Sequence, residues 1–140
     1  MQIEKRVRVS PRFKYQSQIK IKKSKKADAS LDSELADFAL LLALCVKNGL
    51  GVEQSFAWIS QRMSGDLSKK LKEIVRRVDL GESFIDALND TASESKNSSL
   101  SEFASKLSLS ISRGTPISEA LIAQAGTINH QLAQKELQKA

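Results

Sequence analysis

The chain has little of the chemistry on which enzymes and disulfide-bonded proteins depend. Its 140 residues include one cysteine, Cys45, and one histidine, His130. A single cysteine cannot form an internal disulfide, and Cys45 lies in a leucine-rich stretch, where we expect a buried hydrophobic side chain. Walker-type, HExxH and paired-cysteine motifs are missing, as is a GxGxxG loop. The sequence therefore predicts no catalytic site, no metal site and no cofactor.

Long apolar runs are also missing. The longest, residues 38–46, is far shorter than the roughly 20 residues that a membrane-spanning helix needs. The first ten residues, MQIEKRVRVS, lack the apolar core of a secretory signal. We therefore expect the chain as given to stay in the cytoplasm.

Aromatic residues make up only 5% of the chain, although 41% of it is apolar. The apolar residues are mostly Leu, Ile, Val and Ala, a mixture that suits helices better than half-buried strands. The length is that of one domain with a core of its own. Composition alone thus favours a single all-α domain.

Positive charge is concentrated at one end of the chain. Residues 1–29 carry ten basic and two acidic side chains, a net charge of +8, whereas the rest carries 12 basic and 14 acidic side chains, a net charge of −2. RVRV and IKIK alternate apolar and basic residues in this first segment, and no helical stripe is sustained. The sequence predicts an extended or disordered basic arm, residues 1–29, before a folded domain, residues 30–140. The lysines that we expect to face an anionic membrane surface are Lys20, Lys22, Lys23, Lys25 and Lys26.

Apolar residues at spacings of three and four then form six successive stripes. Asp32 or Ser33 can cap the first helix, and Leu40, Leu41 and Leu44 widen its apolar face, so we expect this helix to be central and buried on several sides. The connections are short, which favours antiparallel neighbours. The sequence predicts an all-α, six-helix antiparallel bundle built from three helical hairpins. The later stripes begin at Val52, Leu67, Phe84, Leu100 and Ile117.

Three segments repeat one short pattern. Gly49, Gly81 and Gly114, which are 32 and 33 residues apart, are each followed by an apolar residue three positions on, then by a small and a large apolar residue. Each glycine can supply the left-handed residue that ends a helix. The next helix can begin at Gly51, Ser83 or Thr115 with Pro116. We predict a tight interhelical corner at each glycine, with no binding role of its own.

Acidic side chains gather beside these corners. At the first turn of a helix a carboxylate stabilises the helix dipole, which accounts for them adequately. They could also form a carboxylate-lined interface or a cation site, while a tryptophan on the second helix could anchor a contact or lie in the core. The candidate interaction residues are Glu53, Glu82, Asp86, Glu119 and Trp58.

Residues 34–63, ELADFALLLALCVKNGLGVEQSFAWISQRM, resemble the opening of the type II secretion system F domain family. LGESFIDALNDTA, residues 80–92, and SRGTPISEALIAQAG, residues 112–126, resemble later segments of the family. The ordered succession of the three segments extends the resemblance over about residues 32–140. The matching residues of the opening segment are Glu34, Leu35, Phe38, Leu41, Leu42, Gly49, Val52, Gln54 and Phe56.

The resemblance implies a six-helix domain on the cytoplasmic face of the inner membrane, in a platform protein that helps to assemble pili or pseudopili. The implied partners are a secretion ATPase and other platform subunits, and the implied role is structural, not catalytic. The domain could also form a homodimer, although the sequence alone indicates no interface for it. One copy of the domain is similar to the single-domain Tad and type IV pilus-like branches, in which a basic segment precedes the domain and transmembrane helices flank it. The chain would then be the soluble part of a longer membrane protein.

Two other functions fit parts of the same pattern. In a small nucleic-acid-binding protein the basic arm would neutralise phosphates, and Phe13 or Tyr15 could stack on bases. The repeat period near 33 also suits a tetratricopeptide scaffold, although the W-x2-L-G-x2-Y signature is missing. A solvated linker is a third interpretation of the arm, and composition alone does not separate these alternatives.

Overall fold

The computed structural model describes residues 30–139, except for the side chain of Lys139. The predicted basic arm, residues 1–29, lies outside the described residues. Six helices and no strand make up the described part, so the predicted all-α class and the number of helices are confirmed. The helices are α1, residues 30–47; α2, Val52–Arg62; α3, Asp66–Asp79; α4, Phe84–Ser95; α5, Ser98–Arg113; and α6, Ile117–Lys139.

Glycines end three of the helices, as the repeat predicts. Gly49, Gly81 and Gly114 have φ angles of 93°, 111° and 69°, a region that glycine adopts without steric cost. Ser83 then caps α4, because its hydroxyl accepts a hydrogen bond from the Asp86 N–H at 3.1 Å. Gly51, at the N-cap of α2, provides no such side-chain bond. The corners therefore share a glycine with a positive φ at the end of one helix, but they differ in whether a side chain caps the start of the next helix.

Four of the five phenylalanines connect four helices. Phe38 of α1 meets Phe56 of α2 edge to face with ring centroids 5.0 Å apart, and it meets Phe103 of α5 at 5.9 Å. Phe56 also meets Phe84 of α4 at 5.2 Å. Such pairs contribute about 0.5–1.5 kcal/mol each beyond the burial of area. These four rings thus lie at the centre of the core, and we call the four side chains the phenylalanine cluster.

Helix α1 is buried along one side only. Leu40, Leu41 and Leu44 are 44%, 45% and 59% exposed, so the prediction that they widen the buried face was wrong. A helix turns by about 100° per residue, which places these leucines opposite Leu35 and Leu42, both fully buried. The other helices pack on that buried side. We call Leu40, Leu41 and Leu44 the leucine face.

Two further predictions for α1 were wrong. Asp32 and Ser33 do not cap the helix, because residues 30–33 are already helical. Asp32 is instead buried, with its Oδ2 3.9 Å from the Nζ of Lys135, so the start of α1 lies beside the end of α6. Cys45 is only half-buried, because it lies towards the edge of the covered side.

Glu34 of α1 caps α3 across space. The N-cap residue of α3, Gly65, makes no side-chain cap bond, and the Leu67 N–H donates to the Glu34 Oε1 at 2.9 Å. Gly65 has a φ of 106°, and a Cβ at this position would collide with the Glu34 carboxylate. A carboxylate at a helix N-terminus satisfies a backbone donor and opposes the helix dipole. The contact therefore holds the start of α3 against α1.

Arg77 connects α3 to α4. Its guanidinium donates to Glu73 in its own helix at 2.8 Å and to Glu94 of α4 at 2.6 Å. Glu73 also accepts two hydrogen bonds from Arg76. The hydrogen bond from Arg76, opposed by desolvation and aided by Arg77, lowers the pKa of Glu73 to about 2. This network keeps the two helices in register.

Candidate functional site

The three corners meet at one end of the bundle. Residues from the starts of α2, α4 and α6 and from the end of α5 line one open groove of about 630 Å³. Its floor is apolar and consists of Val52, Phe84, Ile85, Ile111 and Ile117, all buried or half-buried. The repeat predicts each corner separately, whereas the structure places them around a common depression. We call it the corner groove.

Four carboxylates lie on or near the corner groove. Glu53, Asp86 and Glu119 lie in the first turns of α2, α4 and α6, and all three are exposed. Glu82 precedes the cap of α4 and is half-buried. Glu53 lines the groove, and the other three lie within two residues of a lining residue. The structure thus brings the four predicted acidic residues to one end of the bundle, and we call them the acidic rim.

The carboxylates crowd one another beside α4. Desolvation and a hydrogen bond with Asp90 raise the pKa of Glu82; the charges of Asp90 and Asp86 act in the same direction, and Arg77 opposes them. Such a shift means that further negative charge is unfavourable here and that a cation would be favourable. Within residues 30–139 no group of three or more His, Cys, Asp or Glu side chains could hold a metal ion. The residues beside α4 therefore form a locally negative surface.

Trp58 lies at the surface, where 54% of it is exposed. Arg62, one turn later, stacks on the indole with its Cζ 3.9 Å from the ring centroid and donates from Nη1 to the Trp58 carbonyl oxygen at 3.0 Å. Trp58 does not line the corner groove. Exposed aromatic and arginine side chains are common anchors of protein contacts. Trp58 is therefore a candidate contact residue apart from the acidic rim.

The leucine face is a candidate surface that the sequence analysis missed. Three large apolar side chains on one side of α1 are about half exposed. Exposed polar residues continue the same side of the helix: Asp37 is four residues before Leu41, and Asn48 is four residues after Leu44. These polar neighbours are the signal that could have assigned the face to solvent.

The five arm lysines, Lys20, Lys22, Lys23, Lys25 and Lys26, lie outside the described residues. Their role at a membrane surface therefore stays a prediction. Among residues 30–139 no helix is both long enough and apolar enough to span a membrane.

A family model described as type II secretion system (T2SS), protein F matches residues 38–140. Comparison with curated proteins gives no match, and comparison with solved structures gives none. The matched region contains most of α1 and all of α2–α6, and with them the corner groove, the acidic rim and the leucine face. The family is a structural platform domain of secretion machinery and is not a known enzyme family. Because the match covers well over half of the chain, the chain belongs to the type II secretion system protein F family.

Proposed function

We propose that this chain is the cytoplasmic domain of an inner-membrane platform protein in a type II secretion or Tad-like type IV pilus assembly system. The observation that carries the proposal is the family match over residues 38–140, which falls on one helical domain. In this role the domain works by binding other proteins. It couples a secretion ATPase to pilin assembly, because motion received at one surface is passed to the membrane-embedded part of the platform.

The corner groove is the surface that we assign to the ATPase. Its apolar floor and charged border match the anatomy of protein interfaces, in which an apolar centre is surrounded by a polar rim. The carboxylates of the acidic rim would orient a basic partner and accelerate its association. These features support a contact with a basic region of the ATPase.

The leucine face is the surface that we assign to a neighbouring platform subunit, a second copy of this chain. Two α1 helices packed antiparallel across a two-fold axis would bring Asp37 of one copy towards Lys47 of the other, and both residues are exposed. Each half-exposed leucine would contribute about 1 kcal/mol on burial. Sedimentation of Leu41→Ser/Leu44→Ser tests this contact, with Leu109→Ser, an equally exposed leucine of α5, as the matched control.

The basic arm is the part that we assign to the membrane surface. Each basic residue near anionic headgroups contributes about 1 kcal/mol, and an excess of Lys and Arg is typical of the cytoplasmic side. Co-sedimentation with anionic vesicles, before and after deletion of residues 1–29, measures this contribution.

Co-purification of the parent platform protein with its secretion ATPase tests the proposal as a whole. Glu82→Lys/Asp86→Lys should lower the affinity for the ATPase by about tenfold or more, because facing like charges cost several kcal/mol. Glu102→Lys on α5, whose side chain is 55% exposed, is the matched control and should leave the affinity unchanged. Unchanged binding by the double variant would remove the acidic rim from the contact. Failure of the wild-type protein to bind the ATPase would contradict the function itself.

A further inference from the structure

The end of α2 and the start of α3 carry an excess of positive charge. Residues 54–72 contain four basic side chains and one acidic side chain, a net charge of +3. The other residues from 30 to 140 carry 8 basic and 13 acidic side chains, a net charge of −5. The folded domain is therefore acidic as a whole and basic at this one place. We call the four basic residues the basic patch: Arg62, Lys69, Lys70 and Lys72.

Neighbouring carboxylates do not neutralise the basic patch. Arg62, Lys69 and Lys72 are exposed, and Lys70 is half-buried. Within residues 30–139 none of the four forms an ion pair, and the next carboxylate of α3, Glu73, is already bound by two other arginines. Because a helix turns by about 100° per residue, Lys69 and Lys72 lie only about 60° apart around α3. The patch thus presents unpaired positive charge to solvent.

Trp58 adjoins the basic patch. Its side chain is 54% exposed, and the guanidinium of Arg62 stacks on the indole 3.9 Å from the ring centroid. Arginine has five N–H donors, and the hydrogen bond to the Trp58 carbonyl oxygen uses one of them. An indole combines an apolar ring with a polar N–H, which is why tryptophan is enriched where a membrane meets water. An anionic lipid surface therefore matches both features, because its phosphates attract the cations and its boundary layer accepts the indole.

The basic patch lies at the end of the bundle where α1 begins. The Leu67 N–H, two residues before Lys69, donates to the Glu34 Oε1 in the second turn of α1 at 2.9 Å. Three residues, 63–65, join α2 to α3 and keep Arg62 at the same end. Helix α2 has 11 residues, a length of about 16 Å, and its other end begins at Val52 in the corner groove. The basic patch and the corner groove are therefore at opposite ends of α2.

We propose that the basic patch and Trp58 bind an anionic lipid surface, with the lysines and Arg62 at the lipid phosphates and the indole in the boundary layer. The contact orients the domain, because α2 then leads away from the bilayer towards the corner groove and leaves that groove open to a partner. The choice of lipid over another polyanion rests on the proposed function, since residues 1–29, with a net charge of +8, join the domain at this same end. The charge and exposure of the patch do not depend on it.

Quenching of Trp58 fluorescence in the full chain tests the contact. Trp58 is the single tryptophan of the sequence, so its emission reports on this site and not on the arm. The vesicles consist of phosphatidylcholine with brominated acyl chains, with or without phosphatidylglycerol, because bromine quenches an indole only at close range. The anionic vesicles should quench the wild-type emission, and the neutral vesicles should leave it unchanged.

Reversal of charge in the patch decides which residues make the contact. Lys69→Glu/Lys72→Glu removes two exposed cations of α3, and the loss of two lysines should weaken vesicle binding by roughly 30-fold and abolish most of the quenching. The matched control is Lys96→Glu/Lys106→Glu, which makes the same change in charge at two exposed lysines beyond α3 and should retain most of the quenching.

Sedimentation with anionic vesicles without quenching of Trp58 would show that the arm alone binds lipid, and it would overturn the proposal. Equal quenching in the two double variants, or equal quenching by neutral vesicles, would overturn it as well. Quenching by single-stranded DNA but not by anionic vesicles would assign the patch to nucleic acid instead. Loss of ATPase binding with the quenching intact would affect the proposed function and not the lipid contact.

Discussion

Replacing Glu34 tests the cap that this side chain provides to α3. Glu34→Ala removes the acceptor of the Leu67 N–H, which lies 2.9 Å from Oε1 beside a fully buried leucine. Loss of an N-cap costs about 1 kcal/mol, and loss of a negative charge at a helix N-terminus costs about 0.3–1 kcal/mol more. We expect Glu34→Ala to lower the free energy of unfolding by about 1–2 kcal/mol. Glu34→Gln keeps an acceptor and should cost about 0.5 kcal/mol.

Gly65→Ala probes the same contact from the other side. A Cβ at a φ of 106° strains the backbone by about 1–2 kcal/mol, and here it also pushes against the Glu34 carboxylate. The matched control is Gly49→Ala, where φ is 93° and nothing lies within 4 Å of the added Cβ. Overpacking typically costs about 1–3 kcal/mol, so Gly65→Ala should be more destabilising than Gly49→Ala by about 1 kcal/mol.

Urea unfolding followed by circular dichroism measures the free energy of unfolding of each variant. In the Glu34→Ala background the obstructing carboxylate is gone, so Gly65→Ala should then cost no more than Gly49→Ala. The two changes should therefore be non-additive, as expected for residues in direct contact. An equal cost of Gly65→Ala in both backgrounds, or a Glu34→Ala variant as stable as the wild type, would refute the cap.

The ion pairs of α3, the phenylalanine cluster and the arm each give a further prediction. Glu73→Gln should cost about 1 kcal/mol at pH 7, a value discounted for a side chain that is 33% exposed. The pKa of Glu73 is lowered from 4.5 to about 2. The difference in thermal stability between the wild type and Glu73→Gln should therefore be fully present above pH 4.5 and should disappear as the pH falls towards 2. Phe56→Leu should cost about 1–2 kcal/mol in urea unfolding, because it removes ring contacts with Phe38 and Phe84. Retention on DNA should be weak and salt-sensitive, with a Kd of about 10⁻⁴ to 10⁻⁶ M that is lost on deletion of residues 1–29; tighter binding would favour the nucleic-acid alternative.

The corners could be predicted from the sequence because their signals are local. A glycine in the left-handed region ends a helix through hydrogen bonds to the preceding turn, and the Gly81 N–H indeed bonds to the Val78 carbonyl at 2.9 Å. The carboxylates next to the corners follow the same local logic of the helix dipole. That these carboxylates lie at the same end of the bundle is not local, because it depends on how α2, α4 and α6 pack. The residues of the acidic rim could therefore be predicted one by one from the sequence, but their common position at one end of the bundle could not.

The Glu34 cap could not be predicted for a related reason, and the leucine face could be assigned only from the polar residues Asp37 and Asn48 on the same side of α1. A helix with leucine at positions 35, 40, 41, 42 and 44 has apolar residues all round, and only its neighbours decide which of them become buried. Glu34 and Leu67 are 33 residues apart, so no helical spacing connects them. The family resemblance includes Glu34 but gives no physical reason for a glutamate at this position. The structure supplies that reason, because the side chain caps a distant helix.

The two proposed binding surfaces lie at opposite ends of one chain of ring contacts. Phe84 forms part of the floor of the corner groove and contacts Phe56, which contacts Phe38 on the inner side of the helix that carries the leucine face. Contact alone does not establish coupling, which is a free energy shared between two sites and must be reciprocal. If the ring contacts do couple the two surfaces, Leu41→Ser/Leu44→Ser, which prevents self-association, should change the affinity for the ATPase. Phe56→Leu should make that change in affinity smaller, although the Phe56→Leu protein itself still self-associates and still binds the ATPase. If the ATPase binds the leucine variant and the wild type equally well, the two surfaces are independent and the phenylalanine cluster only stabilises the fold.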